Sequence, residues 1–445
     1  MSDLPVVVVG AGPVGLAAAA ELAERGLQPL VLERGGQAGA AVAQWHHVRL
    51  FSRWAELVAP AAGRLLEPHG WQHPDPDGYP TGAQWAQRYL RPLAEALGER
   101  VRFGTEVVGV ARRGRDRVVD DGRESEPLTV HVRTADGDEA RIIARAVIDA
   151  SGTWTSPNPL GGDGLPAIGE AAAGDRIAYQ VPNLVDAATA GRYAGKHVVV
   201  AGSGHSALTA LVAFAELAEQ HPSTRITWLL RRGVVGAVFG GGEADQLPAR
   251  GALGLRAKAA VEAGHISVVT GFRTESVVRD EAGLLTLVSA EGHRVEAVDE
   301  VVVLTGFRPE LSWLSEVRLA LDATLQAPVA LAPLIDPNVH SCGTVYPHGV
   351  TELSHPEPGV FLAGMKSYGR APTFLAMTGY EQVRSIAAAL AGDRESAERV
   401  ELVLPETGVC GGAGLFDGPA RERDGGCCGA LAEPQLLTVS PSATR

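Results

Sequence analysis

The four cysteines of this chain are unevenly placed. Cys410, Cys427 and Cys428 lie in the stretch PETGVCGGAGLFDGPARERDGGCCGA, and only Cys342 belongs to the body before it. Soft thiolates capture soft ions without a preformed fold. Three of them suit trivalent arsenic or antimony, which take three sulfur ligands. Zinc needs a fourth ligand, from Cys342 or a histidine. A disulfide is sterically easier from Cys410 to Cys427 or Cys428 than between the adjacent Cys427 and Cys428. The competing reading is a flexible tail with incidental thiols, because glycine, proline and charge bury too little surface to offset ordering entropy.

A second reactive set precedes an apolar strand in HSCGTVYPHGVTELSHPEPGVFLAG. It holds His340, Cys342, His348 and His355. A single thiol here can act as nucleophile or soft ligand. Cys342, His348 and His355 are the candidate catalytic residues. The alternative is a histidine-rich surface loop.

Such groups need a cofactor-bearing frame, and the N-terminus supplies one in PVVVVGAGPVGLAAAAELAERGLQPLVLER. Val6–Val9 form a β-branched run suited to a buried parallel strand. Gly10, Gly12 and Gly15 follow as G-x-G-x-x-G. The first allows a tight turn, the second admits a pyrophosphate, and the third lets helix pack on strand. The alanine-rich segment 16–25 is expected to be a helix whose positive N-terminus faces phosphate, with Pro13 before it among the cofactor-binding residues. Glu33 ends the next strand, where a carboxylate accepts hydrogen bonds from ribose hydroxyls.

The pattern returns in GKHVVVAGSGHSALTALVAFAELAEQHPSTRITWLLRRG. Gly202 and Gly204 begin the turn, His205 and Ser206 enter the helix, and Ala207 stands at the third glycine position. The following strand ends in Arg231 and Arg232. Guanidinium groups there suit a ribose 2′-phosphate and predict NADPH rather than NADH. Two such sites predict bound FAD in the first domain and a diffusible nicotinamide in the second. The fold class is α/β, with two Rossmann-like dinucleotide-binding domains, the NADPH domain inserted in the FAD domain. The expected limits are 1–189 and 311–395 for the FAD-binding domain, 190–310 for the NADPH-binding domain, and 396–445 for the tail. Near the end of the FAD domain, Gly364 follows a strand, and a helix starting near Pro372, with Thr373, aims its N-terminus at the flavin.

Composition agrees with this plan. The 445 residues are 45% hydrophobic and 20% charged, as expected for two or three globular domains. A net charge of −13 argues against a nucleic-acid partner. The apolar N-terminal stretch lacks a basic leader and is broken by glycines and Pro13, so a cytoplasmic protein with no membrane partner is expected. A homodimer is left open.

The two glycine motifs, with VIDASGTW (147–154) and VVVLTGFRP (301–309), resemble the two-dinucleotide-binding-domain flavoproteins. That group comprises flavin-containing monooxygenases and pyridine nucleotide-disulfide oxidoreductases. The resemblance covers roughly residues 5–395. It implies cofactor contacts at Arg34, Trp45, Arg49, Val108, Ala150 and Gly152, beside the motif residues. Trp45 and Arg49 are four apart and would share one face of a helix. The stretches WHHVRLFSRW, GYPTGAQWAQRYLRPLAE and PHGVTELSHPEPGVFLAGMKSYGRAPTF, with the C-terminal cysteines, are similar to monooxygenase-like proteins encoded beside bacterial arsenic-resistance genes. This implies an FAD- and NADPH-dependent, monooxygenase-like oxidoreductase of a small thiophilic or metalloid substrate, with electrons passing either to oxygen or to a bound acceptor. The alternatives are a reductase of disulfides or small acceptors through the tail thiols and a metalloid-binding flavoprotein without turnover. Two departures stand out. IGEAAAGDRIAYQVP offers Asp175 and Tyr179 where such monooxygenases carry a histidine-containing fingerprint. No C-x-x-C lies beside the flavin positions, which excludes a dithiol relay within the folded core.

Overall fold

The computed structural model describes residues 3–233, 236–245, 247–338, 348–371 and 374–402. Two five-stranded sheets, each parallel throughout, organise it. In the first, β1 (Val6–Val9) is followed by helix α1 (Pro13–Glu24), β2 (Pro29–Leu32) and the short β3 (Val101–Arg102). The chain then builds an antiparallel sheet from β4 (Thr105–Arg112), β5 (Leu128–Thr134) and β6 (Glu139–Ala144). It returns on the other side of β1 as β7 (Ala146–Asp149).

The second sheet repeats this route. After the short β8 (Ile177–Ala178), β9 (His197–Ala201) leads into helix α2 (His205–Gln220), β10 (Arg225–Leu229) and β11 (Ser267–Val269). An antiparallel sheet of β12 (Thr274–Arg279), β13 (Leu285–Ser289) and β14 (Arg294–Val298) follows. Then β15 (Glu300–Val303) pairs on the far side of β9. The chain finally re-enters the first sheet as β16 (Val360–Leu362) beside β7 and continues into helix α3 (Ala376–Ala391), with a short helix Arg394–Glu398 after it. The strand orders are β16-β7-β1-β2-β3 and β11-β10-β9-β15-β8.

Alternation along the central strands explains the layers. Val6 and Val8 enter the core shared with the alanines of α1, whereas Val7 and Val9 enter the core shared with Val130 and Val132 of β5. In the second sheet Val198 and Val200 face α2, and Val199 and Ala201 face Leu285 and Leu287 of β13. Each parallel sheet is thus buried on both faces, which is why its central strands read as unbroken apolar runs. The alanines 17–20 of α1 keep that helix slim where α3 packs against it.

Leu160, Ala167 and Ala173 belong to the core of the second sheet, and β8 pairs with β15, so that layer includes chain before residue 190. α3 begins at Ala376; Pro372 and Thr373 lie outside the described residues. One expectation needs correction. Trp45 and Arg49 share no helix. The helix Ala40–Gln44 ends at Trp45, and Arg49 lies in an isolated antiparallel bridge with Thr81.

Candidate functional site

In both parallel sheets the chain order reverses beside the central strand, between β1 and β7 and between β9 and β15. Open α/β sheets hold ligands in the crevice at the carboxyl ends of such strands. Both glycine turns sit there. Gly10 has φ +98°, and a Cβ on it would lie 3.0 Å from the Ala150 carbonyl oxygen and from Ser151 Cα. Gly202 has φ +132°, and a Cβ would lie 2.2 Å from the Leu304 carbonyl oxygen. Each first glycine is therefore pressed against the neighbouring strand end, where no side chain fits.

The remaining glycines divide by role. A Cβ on Gly15 would come within 1.9 Å of the Gly10 carbonyl oxygen, so its bareness serves the turn itself. Ala207 takes the corresponding place in the second turn and is fully buried. Gly12 and Gly204 are different. A Cβ on either would meet no protein atom within 4 Å, although both have ordinary extended backbone. They are the N-caps of α1 and α2, and no side chain caps either helix. Open space before uncapped amides fits a dinucleotide pyrophosphate.

Glu33 stands beside the first turn. Its carboxylate accepts hydrogen bonds from the Ala11 amide at 2.8 Å and the Gly35 amide at 2.7 Å. Each oxygen keeps a further lone pair for a ribose hydroxyl. Arg34 is exposed, 3.8 Å from Glu106. Trp45 packs over Gly82, where a Cβ would meet its ring at 2.8 Å. The Arg49 guanidinium donates to the Tyr79 carbonyl. Val108 is the extra residue of a bulge in β4, between Val107 opposite Val132 and Gly109 opposite His131. Ala150 and Gly152, the latter with φ +72°, form the turn after β7. Gly364 follows β16 with φ +70°, and its amide donates to the buried Gln382 of α3 at 2.7 Å.

At the second site the ring of His205 meets Phe51 edge-on at 5.2 Å. Burial, with Arg250 nearby, pushes His205 down to about 4. Ser206 is exposed beside it. Exposed Arg231 donates to the Gly162 carbonyl at 3.2 Å. The Arg232 carbonyl accepts from the Gly271 amide at 2.9 Å, which brings residues 271–273 alongside the end of β10. Arg273, in that segment, was not singled out in the sequence and is held by Glu291.

The candidate catalytic histidines are held by different parts of the fold. His348 is buried, with Nε2 2.8 Å from Gln382 Nε2 and its ring beside Tyr368. His355 Nδ1 accepts from the Ala320 amide, and burial pushes this histidine down to about 4. Cys342, Thr373, Cys410, Cys427 and Cys428 lie outside the described residues. Among the described residues no group of three or more His, Cys, Asp or Glu side chains could hold a metal ion. Where a histidine fingerprint was missing, Asp175 pairs with Arg279 and the Tyr179 hydroxyl donates to Glu170 at 2.6 Å.

Sequence reading missed the buried polar residues under the first crevice. Asp149 and Lys366 form an ion pair there, and Ser151 bonds to both. A signal existed, since Lys366 is one of only three lysines and follows an apolar strand.

Two parallel sheets in one chain, each with an open glycine turn at its switch point, define a two-dinucleotide oxidoreductase fold. The chain belongs to the pyridine nucleotide-disulphide oxidoreductase family, whose model matches residues 7–332. Among relatives, indole-3-pyruvate monooxygenase YUCCA1 of Oryza sativa subsp. japonica is 32% identical over 203 residues, 45% of this chain and 43% of that protein. Flavin-containing monooxygenase FMO GS-OX-like 2 of Arabidopsis thaliana is 29% identical over 255 residues, 50% of each chain. The chain therefore spans about half the length of these two relatives. The structure of bacillithiol disulfide reductase Bdr (YpdA) from Bacillus cereus aligns with a TM-score of 0.62 at 21% identity, covering 87% of this chain and 99% of that one. No helix among the described residues is long and apolar enough to cross a membrane.

Proposed function

We propose that this protein is an FAD- and NADPH-dependent oxidoreductase, monooxygenase-like, acting on a small thiophilic or arsenical substrate in the cytoplasm. The observation that carries the reading is the pair of open glycine turns at equivalent switch points of two sheets. One chain with two such sites brings a hydride donor and a redox cofactor into a single enzyme. FAD, when bound, supplies the electron-transfer chemistry between nicotinamide and the final acceptor.

The protein's own groups bind and orient. Gly12 and the first amides of α1 would receive the FAD pyrophosphate, with Glu33 accepting from a ribose hydroxyl. Gly204 and the start of α2 would receive the nicotinamide dinucleotide. Arg231 and Arg232 favour NADPH because the guanidinium fork matches a 2′-phosphate. The thiophilic substrate rests on the arsenic-associated sequence stretches and on Cys342, Cys410, Cys427 and Cys428.

A second reading is a reductase of disulfides or small acceptors through the tail thiols. Asp175 and Tyr179, engaged with Arg279 and Glu170, leave no histidine at the fingerprint position, which favours it. One experiment separates the two. NADPH consumption and oxygen uptake are followed with and without arsenite, methylated arsenicals or a low-molecular-weight disulfide. Substrate-stimulated oxygen uptake matching NADPH consumption, without peroxide release, supports the monooxygenase. Anaerobic NADPH oxidation driven by the disulfide supports the reductase. A chain that takes up no FAD would overturn both. Removal of residues 405–445, or serine at Cys410, Cys427 or Cys428, should weaken arsenical binding while leaving FAD content intact. An unchanged affinity would make the tail incidental.

A further inference from the structure

Asp149 ends β7, and Lys366 lies shortly after β16. Their side chains are 0% and 1% exposed, with Nζ 2.7 Å from Oδ2. This contact is electrostatic rather than directional, since Oδ2 makes no hydrogen bond of acceptable geometry. The directional bonds pass through Ser151. Its Oγ donates to Asp149 Oδ1 at 2.6 Å, its amide donates to the same oxygen at 3.1 Å, and Lys366 Nζ donates to Oγ at 3.0 Å. The Lys366 cation also lies 4.9 Å from the centre of the Trp313 ring.

Burying two charges is costly, and a buried ion pair is often no more stabilising than apolar residues of the same volume. What this pair does achieve is to fix a hydroxyl. A serine hydroxyl has one proton and two lone pairs. A carboxylate only accepts and an ammonium only donates, so the proton must point at Asp149 and one lone pair at Lys366. One lone pair remains. Ser151 is the exposed member of the cluster and borders the first glycine turn, with its Cα 3.0 Å from a Cβ built on Gly10.

We propose that Asp149 and Lys366 are positioning residues that lock Ser151 as an acceptor for a hydroxyl of the FAD bound at the first site. The inference rests on the FAD reading and adds a contact to it. Glu33 and Ser151 then approach the cofactor from opposite flanks of β1, one from β2 and the other from β7. Both present acceptors only. The site would thereby select polyhydroxylated sugar or sugar-alcohol donors on either side of the pyrophosphate.

The test is reconstitution of the apoprotein with FAD, followed by flavin absorbance and fluorescence. S151A should raise the FAD Kd roughly tenfold, the scale of one good hydrogen bond to a ligand. S151T keeps the hydroxyl and should bind within about twofold of the wild type, a rescue that a mere packing role would not give. Equal affinity of S151A and the wild type would overturn the proposal, as would equal loss in S151A and S151T. Neither result touches the FAD reading, which fails only if the wild-type chain itself takes up no FAD.

Discussion

Phe51 and His205 meet edge-on with ring centres 5.2 Å apart. Phe51 comes from the segment after β2, whereas His205 is the first residue of α2 at the second glycine turn. The aromatic ring thus shelters a titratable group at the mouth of the second dinucleotide site. Asp245 and Arg250, themselves a buried ion pair, act on the same imidazole from the other chain segment nearby. Burial is the main cause of its low affinity for protons.

This makes stability depend on pH in a definite direction. His205 is pushed from its ordinary 6.5 down to about 4, so between those values the unfolded chain binds the proton and the folded chain does not. Its contribution is present above about pH 6.5 and is lost as pH falls toward 4, by at most about 3 kcal/mol. Urea unfolding from pH 7 to pH 4 checks this. H205Q should flatten the part of the slope that His205 carries, and F51A should move the same part to higher pH.

Gly12 and Gly15 stand three residues apart in one motif yet should fail differently. G12V adds atoms into space the protein leaves open, so the apoprotein should melt within about 2 °C of the wild type. Its FAD affinity should fall roughly 100-fold or more, through lost room for the pyrophosphate. G15A drives a methyl into the Gly10 carbonyl and should destabilise the fold by roughly 3 kcal/mol or more. Thermal melts beside FAD titrations distinguish the two. A G12V protein that still binds FAD tightly would refute the assignment.

Replacing Arg231 and Arg232 together by alanine should lower the NADPH/NADH ratio of kcat/KM about tenfold or more, the worth of charge-assisted bonds to a phosphate. The change should appear in KM, because 2′-phosphate contacts are made equally in the ground and transition states. Stopped-flow reduction with both nucleotides provides the measurement. An unchanged ratio would move attention to Arg273.

Glu357 is almost wholly buried between Arg112 and Arg123, accepting from both and from the Arg318 amide. E357A leaves two buried guanidinium groups without their counter-charge and should cost about 3–5 kcal/mol. Denaturant midpoints would register this directly.

Legibility followed sequence distance. The strand, turn and helix of each glycine motif are local, so their spacing alone marked both switch points, down to the small residue at Ala207. Asp149–Lys366 and Arg112–Glu357 join residues that only the assembled sheets bring together, and no periodicity announces such pairs. The spacing of Trp45 and Arg49 misled for a related reason. The helix stops at Gln44, and a long-range bridge to Thr81 draws Arg49 into extended backbone. Thr81 reads as a local cap for Gln84, which gives no hint of that partner.

The return of β16 to the first sheet has a consequence for how the protein is made. A ribosome releases β1, β2 and β7 long before residues 360–362, so the first sheet must wait with the β7 edge unpaired. Meanwhile every strand of the second sheet, from β8 to β15, emerges as one continuous stretch and can close unaided. The order of completion during synthesis is therefore inside-out: the inserted layer matures first, and the N-terminal layer remains open to chaperones until residues 360–362 emerge.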